Sequence, residues 1–245
     1  MKEIFERYGE IRGHYLDADY AEHLEFTKKI IEKNYTLNLK ESALVLDIGC
    51  NKGYFLRCMQ DIGLKNLIGL DLSRVDLDFA RNLLGNGPRL IQQDLFDFLE
   101  TTEDEFDLIW CKAVQEHIPK HKQLDFIGLI TSKLRKGGKA IVSVPNMDWF
   151  GATHERYMDF THEVGFTKES LGDIYRMVLN QDHFEIEVKL ISYDFPPASL
   201  FGRLKKYFFV TPLRWFVRLQ MRAIGSGMQS VPIFNRAIAV EVLRK

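Results

Sequence analysis

Cysteine is scarce in this 245-residue chain: only Cys50, Cys58 and Cys111 occur, and no two stand in a C-x-x-C pair. That argues against a disulfide framework or a zinc site and for a reducing compartment. Long apolar runs are absent, so no segment approaches the roughly 20 residues that cross a bilayer. The opening Met1-Lys2-Glu3 is followed by charge rather than an apolar stretch. No secretory leader is therefore expected, and the cytosol is the expected location. Neither sign of charge prevails: the formal net charge is -1, which gives no global pull on nucleic acid. Repeats and low-complexity tracts are missing too. What is left is 46% hydrophobic and 27% charged, ordinary for one larger α/β domain, or for one domain with a small appendage.

The apolar residues fall into short runs. Leu44–Ile48, Leu67–Leu70, Arg89–Gln92 and Phe106–Cys111 each precede a helix-like or loop segment, and Lys139–Val144 follows the turn signal Arg135-Lys136-Gly137-Gly138. Such interleaving marks βαβ units and a mostly parallel sheet buried on both faces. Ile186–Ser192 and Ala237–Leu243 supply two late strands. The predicted fold is α/β, a doubly wound seven-stranded sheet with N-terminal helices and a helical insertion before the last strand. Residues 1–42 form the helical segment, in which Tyr20, Leu24, Thr27, Ile30 and Ile31 recur at helical spacing. Residues 43–194 form the core, 195–235 the insertion and 236–245 the final strand. A ligand belongs outside the carboxyl ends of the strands, at the topological switch point.

At that point the chain lacks a nicotinamide fingerprint. The first strand runs into Asp47-Ile48-Gly49-Cys50-Asn51-Lys52-Gly53, which fails G-x-G-x-x-G at its second glycine. Gly49 and Gly53 still permit a tight turn and close backbone approach to a ligand, with the next helix aiming free N–H groups at it. The second strand ends at Asp71, 24 residues after Asp47, where a carboxylate can accept from two ribose hydroxyls. After the third strand, Asp94 can accept from an exocyclic adenine amine, with Leu72 and Leu95 on either side of the ring. The competing reading is a plain strand-turn-helix with capping acids. The series Asp47-x-Gly49-x-Asn51-x-Gly53, Asp71 and Asp94 resembles the motifs of class I S-adenosylmethionine-dependent methyltransferases over roughly residues 40–150. The resemblance implies S-adenosylmethionine as cofactor, with Asp47, Gly49, Cys50, Asn51 and Gly53 around its methionine moiety, Asp71 on the ribose and Asp94 near the adenine. Asn51 stands where many members carry glycine, and asparagine tolerates the left-handed backbone such a turn asks for.

The acceptor leaves fainter marks. After the fourth strand there is no Asn/Asp-Pro-Pro-aromatic run, the usual companion of amide or adenine N6 methylation. Glu116-His117 stands there instead, a pair common in small-molecule members, with His117 either a base or a loop-ordering residue. After the fifth strand, Arg156-Tyr157-Met158-Asp159-Phe160-Thr161-His162, followed by Phe166-Thr167 and Ser170-Leu171, resembles bacterial methyltransferases of surface-polysaccharide and lipopolysaccharide assembly. That implies a sugar or glycan hydroxyl as acceptor. His162 can deprotonate it with Asp159 orienting the imidazole, or both can simply pin the loop. Thr167 suits a helix N-cap. A metal at His154, Asp159 and His162 lacks a recognised spacing, and none is expected. A small hydroxylated metabolite or a quinone or lipid precursor is the competing acceptor. A cofactor-binding regulator without turnover is the reading of another class.

Acids are absent from Phe195 to Val240, while Arg203, Lys205, Lys206, Arg214, Arg218, Arg222 and Arg236 alternate with Phe201, Tyr207, Phe208, Phe209, Trp215 and Phe216. A cap packing its aromatics inward over the acceptor, a homodimer contact and a peripheral membrane contact through residues 200–222 compete here. Nucleic-acid binding finds no support elsewhere in the sequence.

Overall fold

The computed structural model of the chain describes residues 4–5, 20–195, 199–224 and 232–245. The expectations for residues 6–19 and 225–231 lie outside the described residues. Five strands run parallel: β1 (Leu44–Ile48), β2 (Asn66–Asp71), β3 (Arg89–Gln92), β4 (Phe106–Lys112) and β5 (Leu134–Pro145). With β6 (Phe184–Ile191) and β7 (Ala237–Arg244) they form one seven-stranded sheet of order β3-β2-β1-β4-β5-β7-β6. β7 is antiparallel to both its neighbours. The chain reverses direction across the sheet between β1 and β4, so the crevice at their carboxyl ends is the switch point.

Period-two alternation explains why such short runs suffice. Leu46, Ile48, Leu70, Ile109, Val142 and Val240 bury one face of the sheet. They pack against Phe98 and Leu99 of α4 (Leu95–Thr101), Phe126 and Ile130 of α5 (Gln123–Ser132), and Leu171 and Tyr175 of α7 (Lys168–Val178). Val45, Leu67, Leu108, Trp110 and Ala239 bury the other face. There they meet Ile30 and Ile31 of α1 (Tyr20–Asn34), Phe55 and Met59 of α2 (Tyr54–Asp61), and Leu77 and Ala80 of α3 (Arg74–Leu84). The parallel strands β1 and β4 are thus buried on both faces, while Lys139, Lys189, Glu187 and Glu241 form ion pairs over the β5–β7–β6 edge. α1 is also fastened to the end of β6: Ser192 N donates to Asn34 Oδ1 at 2.7 Å, and Asn34 Nδ2 donates to Ser192 O at 3.1 Å.

Two expectations are corrected. β5 starts at Leu134, five residues before Lys139, because Arg135–Gly138 is an irregularity inside the strand and not a turn ahead of it. Pairing jumps from Phe106↔Leu134 to Leu108↔Lys139, and Gly137 takes the left-handed φ of 79° that lets the bulge form. The insertion between β6 and β7 is helical as expected, α8 (Leu200–Lys205) passing through a π-turn (Lys206–Val210) into α9 (Thr211–Ile224). Its aromatics do not pack inward. Phe209 is 71% and Trp215 64% exposed, and Phe201, Tyr207, Phe208 and Phe216 are exposed as well.

Candidate active site

A cavity of about 700 Å³ opens at the carboxyl ends of β1, β2 and β4, within the usual range for a small-molecule site. Strand register assembles its floor: Asp47 lies opposite Gly69 and Trp110, and Asp71 opposite Gln92. Asp47, Gly49, Cys50, Asn51, Asp71, Leu72, Asp94 and Leu95 all line it.

The loop after β1 is held by the carboxylate that ends β2. Asn51 N donates to Asp71 Oδ2 at 2.8 Å, and Ser73 N donates to Oδ1 at 2.8 Å. Asn51 has φ 47°, the left-handed geometry its side chain tolerates. Gly49 has φ 71°, and a Cβ there would come within 2.4 Å of Val114 Cγ2. Gly53, expected beside the ligand, is not among the residues that line the cavity. It caps α2 at φ 79° and faces α3, where a Cβ would meet Leu84 at 2.7 Å. Burial pushes the Asp47 carboxyl well up, nearby Asp71 adds to this, and Lys112 opposes it. Burial likewise raises Asp71, against the backbone N–H groups of Ser73, Asn51 and Leu72 that favour its charged form. Asp94 caps α4 by accepting Phe96 N at 2.8 Å, so the capping alternative is true of it without consuming the whole carboxylate.

The opposite end of the cavity is built from the loops after β4 and β5. Glu116, His117, Asp159 and His162 line it together with Lys112 and Glu155. Asp159 Oδ1 accepts from Thr161 N at 2.9 Å and from the Thr161 hydroxyl at 2.7 Å, and Thr161 Oγ1 lies 2.9 Å from His117 Nδ1. A hydroxyl that donates to Asp159 must accept from His117, so Nδ1 carries the ring proton and Nε2 keeps a bare lone pair. Beside the expected pairing of Asp159 with His162 the structure thus shows a second link: through Thr161, Asp159 orients His117. The two imidazoles stack obliquely, 4.8 Å between centroids. Burial, then His162, keeps the His117 pKa below the usual histidine value.

Glu116 and Thr161 were missing from the expected site. Glu116 is 2% exposed, and neither of its carboxylate oxygens has a hydrogen-bond partner. Burial, with the charges of Asp159 and Glu155 nearby, raises its pKa to about 8. Its backbone carbonyl accepts from Glu163 N and Val164 N at 2.8 and 3.0 Å, tying the two loops together. Ala113, at φ 56°, is a strained non-glycine residue between β4 and these groups. His154 is exposed on α6 (Ala152–Tyr157) and does not line the cavity.

Much of the Arg156–Leu171 pattern is architectural. Arg156 donates to the carbonyls of His162 and Glu163 at 2.5 and 3.1 Å. Thr167 and Ser170 form a capping box on α7. Glu155 makes a two-pronged ion pair with Arg236 at 3.1 and 3.0 Å, joining α6 to the start of β7.

Residues 14–193 match the family described as a methyltransferase domain. The tRNA U34 carboxymethyltransferase of Sulfurimonas denitrificans is 32% identical over 117 residues, 44% of this chain and 36% of that protein. The ubiquinone biosynthesis O-methyltransferase of Vibrio atlanticus is 29% identical over 122 residues, 47% of this chain and 50% of that protein. The chain thus matches only about a third to a half of the length of these curated relatives. A SAM-dependent methyltransferase from Archaeoglobus fulgidus shares the fold with a TM-score of 0.64 at 20% identity, covering 91% of this chain and 94% of its own. Further solved structures of this fold hold S-adenosylmethionine or S-adenosylhomocysteine.

Proposed function

Starting from the methyltransferase-domain family to which this chain belongs, we propose that it moves the methyl group of S-adenosylmethionine to a hydroxyl of a sugar or glycan acceptor. Bound S-adenosylmethionine supplies a sulfonium-bound methyl: the C–S bond breaks as a C–O bond forms, sulfur keeps the electron pair, and the hydroxyl gives up its proton.

The residues fit such a group. Each Asp71 oxygen spends one lone pair on a loop N–H and has another for a ribose hydroxyl. Gly49 leaves the loop without a Cβ beside Val114, and Asp47, Cys50 and Asn51 complete the turn around the methionine end. Asp94 offers its second oxygen to the adenine amine, and Leu72 and Leu95 flank the ring. Gly53 acts from behind, seating the loop on α3.

The observation that carries the hydroxyl acceptor is the Asp159–Thr161–His117 chain, which leaves Nε2 unprotonated on an imidazole that lines the cavity with Glu116 and His162. A group that needs no proton removal would have little use for it. A cofactor-binding regulator would have none. The test is transfer of labelled methyl to fractionated cell-envelope glycans. Wild type is expected to label a glycan, and His117→Ala is expected to fail while still binding cofactor. Labelling of protein or nucleic acid alone would sink the proposal.

A second acceptor class, a hydroxylated quinone or lipid precursor, is favoured by the Vibrio relative and by α8–α9. That unit exposes Leu200, Phe201, Phe208, Phe209, Leu213 and Trp215 in a stretch without acids, the make-up of an element that lies on an anionic membrane surface. No helix among the described residues is long and apolar enough to cross one. Presentation of a lipid-carried acceptor at the membrane face suits both classes.

A further inference from the structure

We propose that Glu116, His117 and His162 form a binding site for a first-row divalent cation at the acceptor end of the cavity. Its role toward the hydroxyl rests on the function proposed above; its existence does not.

One ligand atom from each of the three residues lies within 4.8 Å of the others. Small side-chain rotations then suffice to bring all three onto one ion at the usual bond lengths of about 2.0–2.2 Å. Glu116 supplies the independent observation: a buried carboxylate lining the cavity with both oxygens lacking a hydrogen-bond partner. A buried carboxyl without a partner either holds its proton or gives it up to a bound cation. Its neighbours sharpen the point. Glu155 is already matched by Arg236, while Asp159 adds negative charge close to Glu116 and is committed to Thr161.

The surroundings of His117 are those of a metal-ligating imidazole. Its Nδ1 is held by Thr161, which is held by Asp159, fixing the tautomer that leaves Nε2 free to ligate. His162 is positioned from its backbone by Arg156. Two imidazoles and one carboxylate suit Zn²⁺, Mn²⁺ or Fe²⁺ better than the all-oxygen cations Ca²⁺ and Mg²⁺. Three protein ligands leave positions for the acceptor hydroxyl; with His117 spent on the metal, a bound ion would take over its activating role by lowering the pKa of that hydroxyl, whose proton would pass to solvent water. The assembled set differs from His154, Asp159 and His162, because His154 is exposed and does not line the cavity while Glu116 arrives from the loop after β4.

The full chain, stripped with a chelator, is titrated calorimetrically with Zn²⁺ and with Mn²⁺ alone, and bound metal is counted by elemental analysis. One ion per chain is expected, with affinity at least tenfold weaker in Glu116→Gln and in His162→Ala. Zn²⁺ should raise the Tm of wild type and not of either variant, and circular dichroism of the metal-free proteins checks that all three fold alike. Equal binding by wild type and both variants, or none by any, overturns the site. If no ion binds yet His117→Ala still abolishes methyl transfer, the proposed function survives with the imidazole itself taking the proton. If the ion binds and no hydroxyl is ever methylated, the site stands and the function falls.

Discussion

The two ends of the cavity are made differently. At the cofactor end, the candidate groups sit at or just beyond the carboxyl ends of β1, β2 and β3, fixed by parallel pairing. The backbone does most of the holding, through Asn51, Ser73 and Phe96 N–H groups on carboxylates. At the acceptor end, side chains hold side chains: Asp159 on Thr161, Thr161 on His117, His117 against His162. A site built on strand ends inherits the rigidity of the sheet. One built on loops depends on its own hydrogen-bond network and is the easier part to vary.

This contrast can be broken most forcefully at Asp71. Asp71→Ala removes the ribose acceptor and frees the Asn51 loop, and charge-assisted hydrogen bonds are worth roughly 1.5–3 kcal/mol each. Cofactor affinity should fall on the order of a hundredfold or more in a calorimetric titration. Thr161→Val cuts the other end: turnover should fall roughly ten- to a hundredfold, the range for losing an outer-shell partner, with cofactor affinity unchanged. Gly49→Ala tests where the ends meet, since its Cβ would collide with Val114 of the acceptor loop at a positive φ. Strain of about 1–3 kcal/mol should lower the Tm and weaken cofactor binding together. The smallest effect belongs to Thr167→Ala, which removes a cap worth about 1 kcal/mol and should shift the Tm without moving kcat. Apart from both ends, a Phe209→Ala/Trp215→Ala chain should lose binding to anionic liposomes and keep its stability. Retained binding would point to a different use of α8–α9.

The cofactor end was legible in the sequence for the reason that makes it rigid. Leu44–Ile48 and Arg89–Gln92 are runs bounded where the strands are bounded, and Asp47, next to last in β1, and Asp71, last in β2, stand in the order the resemblance requires. The acceptor end was legible only as a crowd. His117, Asp159 and His162 line the cavity as expected, but the partner that matters to His117 is Thr161, 44 residues away, and spacing along the chain carries no trace of that contact. Glu116 stood beside His117 in plain view, yet its burial without a hydrogen-bond partner is a property of the folded cavity that spacing along the chain does not carry. Gly137-Gly138 read as a turn because glycine pairs usually are one; a bulge inside β5 uses the same backbone freedom. For the aromatics of α8–α9 an inward-packing cap, a dimer contact and a membrane contact competed in the sequence, and composition alone could not choose between them; their exposure disfavours the inward-packing cap.

The most direct measurement titrates S-adenosylmethionine into wild type, Asp71→Ala and His117→Ala, with no acceptor present. Separable ends predict one saturable site of equal affinity in wild type and His117→Ala, weakened a hundredfold or more in Asp71→Ala. Undiminished binding by Asp71→Ala, or a comparable loss in His117→Ala, would contradict the account.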